Sequence, residues 1–580
     1  MGFAKKFTRF IAVLLVVCVA LPFALPLDAS ANIPARRTLR IGLNYGTTAL
    51  PSANFINGVG SGYEFGFYDA NLVFHPVAAT AETRISVMID HNMQWNPSAE
   101  FSGQYFSVGT GAPAAGSAAV GFIHWRISSG HANAGDAYAQ IAEIPDGFIR
   151  YNAGHANPFM PIYGNYTSDT EANAARRSVH HTRDAGTART ITVAVMGTGN
   201  VIFEFDNTAN PALIFGIRPI NDARPSTHFR GDQYFGGFRF ERRVSTALTV
   251  VNIVELEDYV QGVVPYEMSP NWPLEALKAQ AICARTYALS QLNKHNTAHG
   301  FDLCNTMDCQ VYRGRNNASN NSNTAVTSTA GMVVTYNGAL AQTFYVSSHG
   351  GASENNENIW AGTPLPYLRG VIDDYEDRIA SLISNYNWTI TISQEDITAR
   401  VRNAGHAGAS TIATLRVSQY SPTGNVVSVV ATDTNGRDYT FSRRAGLQSL
   451  FGATPLRSQR FNIGAVTWQP GSAIFVNMPA LSVNLNQYSA ITGSGVSAVS
   501  GSLMAIDGSG NIVNVAGGGP SVTEGAATGP VNGNFIVNGR GWGHSVGMSQ
   551  WGAYSQALHF GRTAQQIIQH YFTGVQITTT

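Results

Sequence analysis

Short β-like runs alternate with turn residues from Leu39 to about Arg243. The runs Leu39 to Leu43, Ile85 to Asp90, Ala118 to Arg126, Phe148 to Asn152, Thr190 to Val195 and Val201 to Phe205 predict strands. Near Leu248 the pattern changes. A β-like run through Val254 leads into Leu256, Tyr259, Val260, Val263 and Val264, which is helical spacing. The clearest helix is predicted over Pro273 to Asn293, with Leu274, Leu277, Ala281, Ala284, Ala288 and Leu292 on one face. Pro273 suits its first turn, and Glu275 suits the positive end of its dipole. Glu267, in VVPYEMSPNWP, falls in the irregular stretch before it. Trp388 to Ile463 is β-rich again, and residues 466–533 then turn to Gly, Ser and Ala and read as an insertion or appendage. GRGWGHSVGMSQWGA, Gly539 to Ala553, predicts a glycine-punctuated loop entering a helix, with Trp551, Tyr554, Ala557 and Leu558 on one face and a stop at Gly561. Thr563 and Gln566 match a capping box opening a last helix that carries Ile567, Ile568 and Tyr571.

Composition narrows the class. With 580 residues the chain is long enough for several domains, and Gly at 59 positions with 10% aromatics favours many short strands and turns. Only 12% of residues are charged, 36 basic against 36 acidic, so neither a polybasic nucleic-acid stripe nor an acidic disordered tail can be built. Lys5, Lys6 and Arg9 precede an apolar run, Phe10 to Leu25, and Ala29-Ser30-Ala31 offers small residues for cleavage. This is the pattern of an export leader over residues 1–31, too short and too Pro-interrupted for a lasting membrane anchor. Its removal takes away Cys18 and leaves Cys283, Cys304 and Cys309, an odd number that cannot pair fully within the chain. Disulfides are therefore not what holds the fold together.

Three places can carry chemistry. Glu267 is flanked by Val263, Val264, Pro265, Tyr266 and Met268, and an inward side chain there is desolvated and suited to general-acid work; capping or pairing at the next helix is the competing reading. Arg285, the one charge in AICARTYAL, either holds a substrate oxygen or pairs with Glu267 and lowers its pKa. In HGFDLCNTMDCQVYRG, His299, Cys304 and Cys309, with Asp302 or Asp308, suit zinc, while a Cys304–Cys309 disulfide is the alternative. Cys283 reads as a buried thiol. The SSHGG and GRGWGH loops each join a His to glycines whose exposed N–H groups can meet sugar oxygens. Ser348 and His349, being adjacent, do not make a hydrolase pair.

At these residues the chain resembles the stage II sporulation protein D family, the SpoIID/LytB domain of secreted lytic transglycosylases of peptidoglycan. The matching segments are VVNIVELEDYVQGVVPYEMSPNWPLEALKAQAICARTYAL, CQVYRG, SSHGG, the RAGLQSLFG region, GRGWGHSVGMSQWGA and HYFTG, within 244–464 and 534–576. The resemblance implies an α+β fold dominated by β-sheets with a few packed helices. In it residues 244–464 and 534–580 form the catalytic core, 465–533 are an insertion, and 32–243 are a β-rich region with the first family strand near 39–44 and a large insertion or variable arm. It puts the catalytic acid on Glu267, and it implies a cleft in which Arg285, Gln310, Tyr312, Ser348, His349, Gly350, His544 and Gln550 bind substrate. It also implies a structural zinc near CQVY through Cys304, Cys309 and His299. Two departures stand out: Asp308 occupies the usual histidine position before the second cysteine, and Ser545 the place of a glycine.

The implied reaction is cleavage between N-acetylmuramic acid and N-acetylglucosamine with formation of a 1,6-anhydro-muramic end, one carboxyl acting as acid and then as base. A hydrolase would need a second carboxylate, for which Glu354, Glu357, Asp373 and Asp374 are candidates. Peptide-stripped glycan, prepared by an upstream amidase, is the implied substrate, and the exported protein is expected at the cell wall with no nucleic-acid partner. The rival expectations are a non-catalytic glycan-binding protein and a metallohydrolase, the latter without an H-E-x-x-H helix to support it.

Overall fold

Strand Ala247–Glu255 is the hinge of the architecture, because its run ALTVVNIVE is apolar on both faces. Leu248, Val250 and Val254 enter the main core, while Val251 and Ile253 join Phe301 and Cys304 on the opposite side. A strand covered on both faces reads as a continuous apolar run rather than an alternating one. The computed structural model describes Pro34, residues 37–464 apart from short stretches within 99–102, 110–115, 221–225 and 385, four short strands between 489 and 515, and residues 525–580. The expected export leader and most of 465–533 lie outside the described residues.

The expected mixed, β-rich fold is present. A seven-stranded sheet runs in the order Leu303–Cys304, Thr38–Asn44, Ala247–Glu255, Gly237–Val244, Ile214–Pro219, Tyr63–Tyr68, Phe74–Thr80. A ten-stranded sheet, built entirely from residues between 52 and 235, faces it. Phenylalanines fill the space between the two: Phe55 meets Phe238 at 4.8 Å, Phe65 meets Phe203 at 5.1 Å, and Phe205 meets Phe215 at 5.1 Å between ring centroids. The boundary expected at 243/244 therefore falls inside one antiparallel hairpin, in which Glu241 pairs with Thr249 and Val244 with Ala247. Residues 60–230 share a core with residues 248–371 and 546–575, because an exposed phenylalanine face of this size has to be covered.

Helix Leu274–Ser290 is the helical centre. The sequence predicted one apolar face, yet all but a few of its residues are buried, Gln280, Arg285 and Thr286 included. Its alanines allow close approach, and helices Leu256–Glu267, Asn320–Ser328, Gln550–Phe560 and Ala564–Tyr571 pack round it. It ends at Ser290, short of the expected Asn293. The capping box at Thr563 and Gln566 forms in both directions, and Gly561 ends the preceding helix at φ 60°. Helix Gln550–Phe560 departs from expectation: it buries Gly552, Ala553, Ser555 and Gln556, while Trp551 and Tyr554 are half-buried and Leu558 exposed. Small residues set this packing, since a Cβ at Gly552 would overlap the Tyr571 hydroxyl.

A second core lies within 387–463 and 534–540. There Asn534–Arg540 pairs with Asn387–Ser393 and Phe461–Ile463, and Ile412–Tyr420, Val426–Asp433 and Asp438–Ser442 form a separate sheet. From Arg540 the chain returns to the first core, where Met548–Ser549 runs parallel to Tyr345–Val346. This return brings the SSHGG and GRGWGH loops side by side.

Candidate functional site

Glu267 is the last residue of helix Leu256–Glu267, not part of an irregular stretch, and Met268 caps the helix in an extended conformation. Buried Val263, Val264 and Met268 anchor this end, so the half-buried carboxyl has little freedom. The backbone N–H of Val311 donates to Oε1 at 2.8 Å and the Gln550 amide donates to Oε2 at 3.3 Å. Burial raises the Glu267 pKa above the ordinary glutamate range, and the contacts from Val311, Gln550 and Tyr345 oppose the rise without cancelling it. The negative end of the helix dipole adds to the same disfavouring of charge. A rise is the direction that general-acid work at a carboxyl requires.

The elements around it explain the geometry. Tyr345 donates its hydroxyl to Gln310 Oε1 at 2.8 Å, and Gln310 in turn donates to Tyr259 Oη at 3.2 Å and the Ala284 carbonyl at 3.3 Å. Tyr312 donates to Asn252 Oδ1 at 2.7 Å. Gln310 and Tyr312 are both about 1% exposed, so instead of lining a cleft they hold the CQVY loop so that the Val311 N–H points at Glu267. Of the residues expected to bind substrate, Gln550 alone touches the acid directly.

Arg285 is displaced furthest from expectation. Its side chain is fully buried, and it donates Nε and one terminal nitrogen to Glu257 at 2.8 and 2.7 Å, with further contacts to the carbonyls of Met332, Val326 and Ala281. All of its donor directions are taken, and its ion-pair partner is Glu257, one helix length from Glu267. Ser348, His349 and Gly350 are also buried. His349 Nδ1 lies 3.0 Å from Asp373, and burial pushes its pKa down to about 4, so the ring is neutral. His544 is half-buried, accepts the Val546 N–H at 3.1 Å, stands beside Trp360, and is likewise held neutral by burial, at about 3. Ser545 sits at φ 62°, a left-handed conformation that costs a non-glycine residue roughly 1 kcal/mol or more.

Three of the four candidate second carboxylates are committed elsewhere, and Asp374 is exposed. Glu354 accepts from the Asn355 N–H, Asn358, Thr423 and Ser421; Glu357 forms a two-point pair with Arg369 at 2.6 and 2.7 Å; Asp373 is held by His349 and Tyr571. Near Gln550, Trp272, Trp551 and Tyr554 form a half-buried aromatic group with centroids 4.5 to 5.5 Å apart, and Trp542 of the GRGWGH loop is 49% exposed. Flat rings of this kind suit the apolar faces of sugars.

The cysteine loop holds four donors whose ligand atoms all lie within 4.8 Å of one another: His295, Cys304, Asp308 and Cys309. His295 Nε2 is 3.3 Å from Cys309 Sγ and 3.1 Å from Asp308 Oδ2, and Cys304 Sγ is 3.9 Å from the same oxygen. His299, the histidine singled out from sequence, stacks on Phe301 at an interplanar angle of 13° and belongs to the aromatic packing around Tyr45. Both histidines stand close to the cysteines in sequence, so spacing alone could not choose between them. The thiols are not joined; Cys309 holds the Cys304 pKa down to about 5, as a thiolate-forming pair does. Two further groups escaped sequence reasoning, because their members are far apart in the chain. One is His349, Asp373 and Glu376. The other is Asp90, His124 and Glu204, sealed in the ten-stranded sheet with Arg150 donating to Glu204 at 2.8 Å.

Comparison with known proteins gives a consistent picture. Residues 244–336, spanning the acid helix, the central helix and the cysteine loop, match the family model described as Stage II sporulation protein. The chain is 28% identical to the amidase enhancer of Bacillus subtilis (strain 168) over 320 residues, which are 55% of this chain and 40% of that protein. It is 26% identical over 348 residues to an uncharacterized protein of Brachyspira hyodysenteriae, covering 60% of this chain and 73% of that one. Stage II sporulation protein D of Bacillus subtilis is 23% identical over 348 residues, 57% of this chain and 77% of its own length.

Proposed function

We propose that this chain, whose residues 244–336 match the family model described as Stage II sporulation protein, has a cell-wall role and acts there as a lytic transglycosylase of peptidoglycan. The observation that carries the reading is the Glu267 carboxyl, kept above its ordinary pKa by burial and gripped by the Val311 N–H and Gln550. Protonated Glu267 gives its proton to the glycosidic oxygen between N-acetylmuramic acid and N-acetylglucosamine as the C1–O bond breaks. The resulting carboxylate takes the proton of the muramic C6 hydroxyl, whose oxygen closes on C1. The proton count balances within one carboxyl, and no water enters. The commitment of Glu354, Glu357 and Asp373 to other partners favours this over a two-carboxylate hydrolysis.

Peptide-stripped strands left by a wall amidase are the proposed substrate, and the protein is proposed to be exported. The name of the amidase enhancer relative supports the amidase connection. Among the described residues no helix is long and apolar enough to cross a membrane. The test is digestion of peptide-free glycan by wild type and by Glu267→Gln, with the new ends identified by mass. Ends lighter than reducing ends by one water support the reading. Reducing ends point to a hydrolase, and binding without turnover in both proteins points to a glycan-binding protein.

A zinc ion fits the cysteine loop, held by Cys304, Cys309, His295 and Asp308, where it would supply a cross-link without entering the reaction. Cys309 is followed directly by Gln310 and Val311, so the cross-link bears on the N–H that grips Glu267. Chelation is expected to lower the thermal midpoint and added zinc to restore it, by about 3 kcal/mol when free zinc is near a hundred times its dissociation constant. A His295→Ala variant should lose this response and a His299→Ala variant should keep it. The reverse result would return the ligand role to His299.

A further inference from the structure

Glu376 is fully buried, and among the described residues no cation pairs with it. Its Oε2 accepts the Ser348 hydroxyl at 2.7 Å and the Gly350 N–H at 2.8 Å; its Oε1 accepts the His349 N–H at 2.9 Å and the Ser549 hydroxyl. Four donors thus converge on one carboxylate that no solvent reaches. Leaving a charge in such a place costs several kcal/mol unless it is fully hydrogen-bonded, and here both oxygens are. The four donors come from two chain segments about 200 residues apart: the SSHGG loop, and the entry to helix Gln550–Phe560.

Ser549 does two things at once. While donating to Glu376, its Oγ accepts the Gly552 N–H at 2.9 Å and so caps that helix. A second tie, from the Trp551 N–H to the Ser347 carbonyl at 3.1 Å, lies alongside. The next residue after the cap is Gln550, whose amide reaches Glu267. A continuous path therefore runs from Glu376 through the Ser549 cap to the first residue of the helix and on to the acid. The path is made of short side chains and backbone, with no long flexible link except the Gln550 side chain itself.

We propose that Glu376 is a positioning residue for the reaction of Glu267: by locking the Ser549 cap to the SSHGG loop it fixes where the Gln550 amide meets the acid. This rests on the transglycosylase reading. Gln550 is in contact with the reacting carboxyl, whereas Glu376 acts only through it. An amide at 376 cannot satisfy all four donors, because in either orientation its nitrogen would face both a backbone N–H and a hydroxyl that now donates, so Glu376→Gln loosens the lock while keeping the shape of the side chain.

The experiment is a double-mutant cycle on peptide-free glycan. kcat and KM are measured for wild type, Glu376→Gln, Ser549→Ala and Gln550→Ala, and for the first two changes placed in the Gln550→Ala background, with thermal midpoints alongside. The expected result is a loss of about tenfold or more in kcat for Glu376→Gln and for Ser549→Ala, with KM within about twofold, and little further loss when Gln550 is already alanine. Losses that multiply in the double variants, or that fall on KM, overturn the proposal. If Glu376→Gln does not fold, Ser549→Ala carries the same test. A wild type that forms no anhydro-muramic ends overturns the transglycosylase reading itself, which is distinct from a working enzyme whose cycle shows no coupling.

Discussion

Glu267→Gln is expected to lose about a hundred- to ten-thousandfold in kcat on peptide-free glycan, the range for removal of a positioned acid-base group, while its thermal midpoint holds or rises. The amide is isosteric. Its oxygen still accepts the Val311 N–H, and the Gln550 amide can turn over to offer its own oxygen to the new NH2 group. What is lost is the proton. The stability side follows from the pKa direction: burial raises the folded pKa of Glu267, so the folded state binds this proton more tightly than the unfolded chain does. The wild type therefore carries the full contribution of this group below the ordinary glutamate pKa and loses it as pH rises through the folded pKa. Glutamine has no such loss, and at neutral pH the variant should be at least as stable as the wild type. A variant that is inactive because it is unfolded would show the opposite.

The same direction sets the pH profile. Activity requires the protonated acid, so kcat/KM should fall on the alkaline side through a pKa above the ordinary glutamate range. Gln550→Ala removes a donor that favours the charged form, so it should move that alkaline limb to higher pH while lowering the maximal rate. A limb that stays in place, or moves down, would mean that Gln550 does not act on this carboxyl.

Much of the site was legible in the sequence where function and local pattern coincide. The apolar neighbours of Glu267 are contiguous in the chain, and the same local pattern leads into the two helices, so its desolvated setting could be read without a structure. The glycine loops were equally visible, but their roles were not. Ser348, His349, Gln310 and Tyr312 look like ligand-binding groups in a linear reading, yet each is buried and bonds to protein partners. Whether a polar side chain faces a cleft or a neighbouring segment depends on tertiary packing. Glu376 was invisible for the same reason: DDYEDRI carries no periodic or motif signal, and its partners lie in two distant segments. The large N-terminal region, expected as an insertion or variable arm, shares the main core, which could not be read from the sequence because strand runs do not reveal which sheet they join. Its phenylalanines, spread from Phe55 to Phe240, make sense only once the two sheets face each other.

Arg285→Ala is expected to act on stability and not on substrate binding. The guanidinium is fully buried and ties helix Leu274–Ser290 to Glu257 in the first turn of the acid helix, to helix Asn320–Ser328 through the Val326 carbonyl, and to strand Met332–Tyr336 through the Met332 carbonyl. Removing it leaves a large cavity, takes a donor from the Met332 carbonyl, and leaves a Glu257 carboxylate that still accepts the Gly331 N–H at 3.2 Å, while the Val326 carbonyl keeps the N–H and hydroxyl of Thr329. Deleting so large a buried side chain together with its hydrogen bonds costs about 3 to 5 kcal/mol, which for a domain of this kind is a fall of roughly 10 °C in thermal midpoint. Lysine should rescue little, because a single ammonium cannot reproduce the two-point contact with Glu257 and reach the carbonyls as well. Glu257→Gln should be costly too, since it leaves the fully buried Arg285 guanidinium without a counter-charge, whereas the Glu257 left by Arg285→Ala is 37% exposed and open to water. The decisive comparison is made at a temperature where Arg285→Ala remains folded: its KM for glycan should match the wild type. A raised KM with an unchanged thermal midpoint would return Arg285 to the substrate side, and would mean that the pair with Glu257 opens when glycan binds.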